Sequence, residues 1–238
     1  MLKKIFLGAT LLATSCCISS IPSKSQPICS AALLLALDVS GSVDWKEYHL
    51  QRKGIADAFR DDELIKLIEF LPGGISVAVT QWSGTGHQER VVNWQQIKTK
   101  SDAEKFAASV QAITRNGWGP MTATGNALLH ADALLKSNPY PCVKNVIDLS
   151  SDGRTNRGVP EKLVSQQLTT KGHTINVLAI VENDHSLLRY FATSVIGGPG
   201  SFVETARGYS DYARAMKRKL LRELSPNVAA VNSGKQKL

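Results

Sequence analysis

The sequence predicts an α/β domain built on a mostly parallel sheet with helices on both faces. Three observations carry this. Segments of strand character alternate with segments of helical periodicity from residue 31 to residue 224, the order that generates parallel sheets. The first strand, 31–37, reads Ala-Ala-Leu-Leu-Leu-Ala-Leu without alternation, as a central strand covered on both faces should. Hydrophobic residues make up 43% of the 238, enough to bury one core, and no internal repeat or linker divides it. That apolar content excludes a disordered chain, and no apolar run reaches the roughly 20 residues of a spanning helix.

After the first strand, 43–59 is a helix of mixed amphipathicity. Residues 75–82 (Ile-Ser-Val-Ala-Val-Thr-Gln-Trp) are a strand, and 90–94 a shorter one able to pair with it as a hairpin. Ser101-Asp-Ala-Glu104 has the form of a capping box, opening a helix with Ala103, Phe106, Ala107, Val110 and Ile113 on its apolar face. A glycine-rich loop, 115–121, precedes a helix with Ala127, Leu128, Ala131, Leu134 and Leu135 on one side. Residues 143–150 form a strand running into Ser151-Asp152-Gly153. A helix from about Pro160 stops at Gly172, with proline near its start and glycine past its end. A strand at 173–181, a helix at 184–195, a short strand at 201–204 and a last helix at about 209–224 complete the domain. That last helix turns Ala213, Met216, Leu220 and Leu224 inward, and 225–238 is a flexible tail.

The formal charge of +8 is confined to the ends. Residues 1–25 carry Lys3, Lys4 and Lys24 and no acid; 212–224 carry Arg214, Lys217, Arg218, Lys219 and Arg222 against Glu223; the tail adds Lys235 and Lys237. The span 26–211 is left at −1, so charge gives no reason to expect a nucleic-acid partner. Lys3 and Lys4 followed by the apolar 5–13 and then small polar residues have the layout of a signal peptide, residues 1–25, cleaved after Ser15 or nearer Gln26. Cys16 and Cys17 open a lipoprotein alternative, although Ala13 stands where a lipobox usually has leucine; only lipidation there would bring the chain to a membrane. Export, to the periplasm or beyond, makes the two remaining cysteines, Cys29 and Cys142, either a disulfide or two small core residues.

Ligands of open parallel sheets gather at the carboxyl ends of the strands. There the sequence places Asp38-Val-Ser40-Gly-Ser42 and Ser150-Ser-Asp152-Gly153, while Thr122 opens a helix after the glycine-rich loop. Two carboxylates and three hydroxyls, with no imidazole or thiolate, form a hard-cation set of the Mg²⁺ or Mn²⁺ type. The five histidines lack zinc-ligand spacing.

Asp38-x-Ser40-x-Ser42, Thr122 in Met-Thr-Ala-Thr-Gly-Asn-Ala-Leu, and Asp152 in Ser-Asp-Gly together resemble the metal-ion-dependent adhesion site of von Willebrand factor A domains. The wider text resembles an uncharacterised bacterial secreted branch of that superfamily. The phrases are Leu-Asp-Val-Ser-Gly-Ser-Val-Asp (37–44), Gln-Trp-Ser-Gly (81–84), Val-Ile-Asp-Leu-Ser-Ser-Asp-Gly-Arg-Thr-Asn (146–156), Ile-Asn-Val-Leu-Ala-Ile (175–180) and Val-Ile-Gly-Gly-Pro-Gly-Ser-Phe-Val (195–203). Ser151 departs from that branch, which tends to have glycine there. The resemblance spans a domain at 29–224 and implies a three-layer Rossmann-like fold with a six-stranded sheet in order 3-2-1-4-5-6.

The resemblance also implies roles. Ser40 and Ser42 would bind the metal through their hydroxyls, Thr122 directly or through water, and Asp38 and Asp152 through water or as anchors of the shell. The open position would take an acidic side chain of a protein or peptide ligand. Trp118 and Met121 could form an apolar rim. Strands one and four are neighbours in the implied order, and Cys29 and Cys142 both fall at their lower ends, which favours the disulfide. Asp148, in mid-strand, needs a partner and lies too far below the metal level for a direct role. The basic last helix reads as a solvated outer face. The rival reading is a metal-assisted hydrolase using the same cation. The strand-end loops were expected to hold no His or Glu base, and no G-x-S-x-G or phosphate loop is present.

Overall fold

The computed structural model describes residues 28–116, 119–182 and 184–225. The expected signal peptide, with Cys16 and Cys17, as well as Trp118 and the expected tail beyond Ser225, lie outside the described residues. The described chain runs β1 (Cys29–Asp38), α1 (Trp45–Phe59), α2 (Asp62–Phe70), β2 (Ile75–Trp82), β3 (Gln88–Ile97), α3 (Lys100–Ala112), α4 (Thr124–Lys136), β4 (Cys142–Ser151), α5 (Glu161–Thr170), β5 (Thr174–Ile180), α6 (Ser186–Ser194), β6 (Val203–Ala206), a 3-10 turn at Tyr209–Asp211 and α7 (Tyr212–Leu224). The six strands lie in the order β3-β2-β1-β4-β5-β6, and all pair in parallel except the β2–β3 hairpin.

The alternation of side chains along β1 assigns the two faces. Leu33, Leu35 and Leu37 pack with Ile55, Phe59, Phe106 and Met216, so α1, α2, α3 and α7 cover one side. Ala32, Leu34 and Ala36 pack with Leu128, Leu135, Leu168 and Phe191, so α4, α5 and α6 cover the other. Each fully buried leucine contributes roughly 1.5–3 kcal/mol relative to exposure. The close approach of α1 to α7 depends on Gly54, where an added Cβ would lie 2.7 Å from the Tyr212 ring and 3.0 Å from the Ala213 Cα.

Several local boundaries differ from expectation. The first helix starts at Trp45, because Asp44 caps it: Asp44 accepts from the Glu47 N–H at 2.8 Å, and Glu47 accepts from the Asp44 N–H at 2.7 Å. The box expected at 101–104 sits earlier, with Thr99 as cap and Asp102 returning to its backbone. The strand expected at 201–204 begins at Val203, set by its pairing with Val177. Helix α2 had no counterpart in the sequence reading; Asp61 caps it, and Leu64, Ile65 and Ile68 are its buried side.

The basic last helix is also not a purely solvated face. Lys219 is fully buried and ion-paired with Asp148 and Glu223, both nearly fully buried. Asn176 donates to Glu223 at 2.7 Å, completing a polar knot under the sheet. Burial and the second carboxylate, Glu223, push Asp148 up to about 8, against the pull of Lys219.

At the lower edge, Cys29 is register partner to Cys142 and the two form a disulfide, with Cα atoms 4.3 Å apart. It closes a separation of 113 residues.

Two outcomes are expected. Replacing Cys29 and Cys142 with alanine should lower stability by about 4–5 kcal/mol on the chain-entropy model, read from urea unfolding; a loss below about 1 kcal/mol would contradict it. Lys219→Met should cost about 3–5 kcal/mol near neutral pH, because it strands two buried acids. Asp148 has its folded value raised, so the stability it contributes is full at low pH and is lost as pH rises through about 8. Without Lys219 that decline should steepen, and equal slopes for variant and wild type would refute the assignment.

Candidate metal centre

The upper end of β1 and β4 brings the sequence-predicted residues together. The Asp38 carboxyl is fully buried: Oδ1 accepts the Ser40 N–H at 2.8 Å, and Oδ2 accepts the Ser151 hydroxyl at 2.6 Å. Ser40 Oγ lies 3.3 Å from Ser42 Oγ, and Ser42 donates to Asp152 Oδ1 at 2.7 Å. A continuous hydrogen-bonded line thus joins Ser40, Ser42 and Asp152, and the Ser40 N–H ties it to Asp38. Ser151, the departure noted in sequence, is the residue that fixes the outer oxygen of Asp38.

Thr122 reaches the site from the other side. Its backbone is clamped by Asn156, whose side chain accepts the Thr122 N–H and whose own N–H donates to the Thr122 carbonyl, both at 2.9 Å. A Cβ built on Gly153 would lie 3.8 Å from the Thr122 hydroxyl, which places that hydroxyl beside the Asp152–Gly153 turn. Ser40 bridges Gly119 as an isolated parallel pair, and a Cβ on Gly41 would meet Pro120 at 3.2 Å. The two loops therefore touch backbone to backbone. Met121, 36% exposed, stands on the outer edge of this contact.

Supporting residues were less visible in sequence. Arg115 donates to the carbonyls of Val39, Ser40 and Val43 at 3.1, 3.2 and 2.5 Å, gathering the 38–43 loop around one guanidinium. Buried Gln81 donates to Tyr48 Oη and the Thr114 carbonyl and accepts the Asn116 N–H, which holds the start of the glycine-rich loop. Buried Tyr209 donates to Asp152 Oδ2 at 3.0 Å. Arg115 and Tyr209 carry no local motif, since each acts across more than 50 positions of chain. Gln81 and Asn156 fall in stretches shared with the resembling branch, though their roles are apparent only from the fold.

A cleft of about 220 Å³ opens beside Ser42, lined by Glu47, Asp152, Glu182, Asp184 and Tyr209. This corrects one expectation: Glu182 lies two residues after the end of β5 and Glu47 is on α1, and both line the cleft, so glutamates do stand beside the site. Burial and nearby carboxylates raise Glu47 above the ordinary range. Burial and then the charge of Asp152 push Asp38 up to about 7, against hydrogen bonds from Ser151 and Ser40.

The chemistry of the donor set suits a hard cation. Two carboxylates and three hydroxyls converge, and among the described residues neither Asp38 nor Asp152 has an ion-pair partner to balance its charge. Repulsion between Asp38 and Asp152 is the imbalance that a divalent cation would remove.

A six-stranded, mostly parallel sheet in this order, clothed by helices and carrying these residues above β1 and β4, defines a von Willebrand factor A fold. The chain belongs to DUF1194, a protein family of unknown function, whose model matches residues 28–228. Among solved structures it is similar to proximal thread matrix protein 1 from the mussel byssus, at 17% identity and TM-score 0.63, over 83% of this chain and 49% of that one. Another crystal structure of that protein has a zinc-occupied MIDAS motif. It is also similar to the pilus adhesin SpaC of Lactobacillus rhamnosus GG, at 13% identity and TM-score 0.61, over 83% of this chain and 31% of that one. A von Willebrand factor type A protein from Catenulispora acidiphila aligns at 17% identity and TM-score 0.58, over 84% of this chain and 44% of that one. The chain thus spans half or less of each of these relatives' own length. No curated protein matches the sequence.

The raised Asp38 gives a pH test. A carboxyl whose folded value exceeds its ordinary 3.8 favours the folded state when protonated, so this contribution is lost as pH rises through about 7. In chelator, this contribution should lower the melting temperature between about pH 4 and about pH 7, and Asp38→Asn should flatten the fall. A variant that retains the wild-type slope would show that Asp38 is not its source.

Proposed function

We propose that this chain is an exported binding module. Its site at the upper end of β1 and β4 holds a Mg²⁺ or Mn²⁺ ion and engages a protein or peptide ligand through an acidic side chain. The observation that carries the reading is the convergence of Asp38, Ser40, Ser42, Thr122 and Asp152 into one hydroxyl-rich set whose two acids lack a counter-charge. When bound, the cation supplies an electrophilic position for the ligand's carboxylate. Ser40, Ser42 and Thr122 offer neutral oxygens toward it, while Asp152 accepts the Ser42 hydroxyl and Asp38 holds the loop through the Ser40 N–H and the Ser151 hydroxyl. Met121 and Trp118 are proposed to border the ligand. The likeness to a pilus adhesin and to a byssus protein with a zinc-occupied MIDAS motif supports this class of function. The disulfide supports an oxidising compartment, periplasmic or extracellular.

One observation favours the hydrolase alternative: Glu47 and Glu182 line the cleft beside Ser42 and Asp152, within the same pocket. Capture of a partner from the exported fraction of the source cell separates the two. Capture is expected with Mg²⁺, absent in chelator, and at least tenfold weaker with Asp38→Ala. Undiminished capture in chelator would sink the adhesion reading, and Mg²⁺-dependent turnover of an ester or phosphate lost with Glu47→Gln would favour the hydrolase.

A further inference from the structure

The site carboxylate Asp152 is held from two sides by hydroxyls that come from opposite ends of the chain. Ser42 donates to Oδ1 at 2.7 Å from the loop after β1. Tyr209 donates to Oδ2 at 3.0 Å from the 3-10 turn that leads into α7. Tyr209 is only 5% exposed, and its hydroxyl lies against the charged groups of the site. Its hydroxyl hydrogen is committed to that bond with Asp152. Asp152, for its part, has one oxygen committed to Ser42 and the other committed to Tyr209.

From this geometry we infer that Tyr209 is a positioning residue that withholds one oxygen of Asp152 from the bound cation. The inference rests on the reading of this site as a cation site. Asp152 is half-buried at the edge of the cleft; an oxygen there that loses its donor turns to the nearest positive partner, and hydrogen bonds to charged groups are among the stronger ones in proteins. With Tyr209 in place, Asp152 serves the cation through Ser42 and leaves its own charge outside the inner ring of ligands. Without the phenol, Oδ2 is free to turn toward the cation as a direct, charged ligand. Tyr209 thus trades cation affinity for an open position at which a partner's carboxylate can bind.

A second tyrosine supplies an internal control. Tyr212, the first residue of α7, shares a 2.9 Å hydrogen bond with Ser150, two residues below Asp152 on the same face of β4. Removing its hydroxyl takes away a buried bond between α7 and β4 without touching Asp152.

The test uses the purified chain and Mn²⁺ alone, with affinity from calorimetric titration and the number of inner-sphere waters from Mn²⁺ relaxation or pulsed magnetic resonance. Tyr209→Phe is expected to bind Mn²⁺ about threefold to tenfold more tightly and to hold one water fewer than wild type. Tyr212→Phe should match wild type in both. Tyr209→Met, which fills the space without a hydroxyl, repeats the measurement should the phenylalanine variant not fold. Unchanged or weaker Mn²⁺ binding with an unchanged water count in the Tyr209 variants would overturn the inference, as would equal shifts in both tyrosine variants. If wild type itself binds no Mn²⁺, the cation reading of the site falls as well, an outcome distinct from the others.

Discussion

Everything in this molecule hangs on the parallel pairing of β1 with β4, two strands that lie more than a hundred positions apart in the chain. Their register sets Cys29 opposite Cys142 at one end and Leu37 opposite Ser150 at the other. One alignment therefore closes the disulfide below and assembles the oxygen cluster above. A slip by a single residue would move every side chain of β4 to the wrong face, separate the cysteines and part Ser151 from Asp38. The covalent bond at the lower end and the Ser151–Asp38 bond at the upper end guard against that slip from both sides.

The same alternation explains why β4 is polar on one side. Val146, Asp148, Ser150 and Asp152 share a parity that turns them toward α7, while Ile147 and Leu149 pack into the opposite cluster. Three of those four meet a polar group from the last segment of the chain: Lys219 on Asp148, Tyr212 on Ser150 and Tyr209 on Asp152. Met216 and Leu220 supply the apolar contacts of α7 between these rungs. Any one of these polar groups left alone in the core would be costly, so the three pairings fix how far along β4 the helix can sit. Asp38 and Ser151 lie on the other parity, facing the α4 side, so the site straddles the sheet's upper edge.

Much of this was legible in sequence because it is encoded locally. The uniform apolar run of β1 announced a strand buried on both faces, and Asp-x-Ser-x-Ser compresses three site residues into five positions. What was hidden is what depends on distance. Arg115 binds carbonyls more than seventy positions away, and carbonyls leave no trace in side-chain pattern. Lys219 looked like one more charge on a basic helix; only the neighbouring elements show that it faces Asp148. Helix α2 escaped because its nine residues carry three buried apolar side chains, too short a stretch to separate a helix from a loop by periodicity. The capping box was misplaced because Thr99, Ser101 and their acidic partners are so close that two frames satisfy the pattern.

Electrostatics ties the fold to its function more closely than shape does. Among the described residues, Asp38 and Asp152 are neighbouring carboxyls without a salt bridge, and Glu47, Glu182 and Asp184 line the adjoining cleft. Such a surface repels an acidic ligand for as long as it carries no cation. It also raises the local concentration of cations, because several carboxylates share one concave wall. On the proposed reading, a cation then contributes twice: it relieves the repulsion that weakens the folded state, and it reverses the sign of the potential that a ligand's carboxylate meets. The first effect grows with cation concentration as RT ln(1 + [L]/Kd), so stability and ligand competence should rise together rather than independently. On the same reading, the hydroxyls of Ser40, Ser42 and Thr122 would make that reversal possible, since neutral oxygens leave the cation's charge for the ligand. A site built from directly bound carboxylates would hold the ion more tightly and present less of its charge.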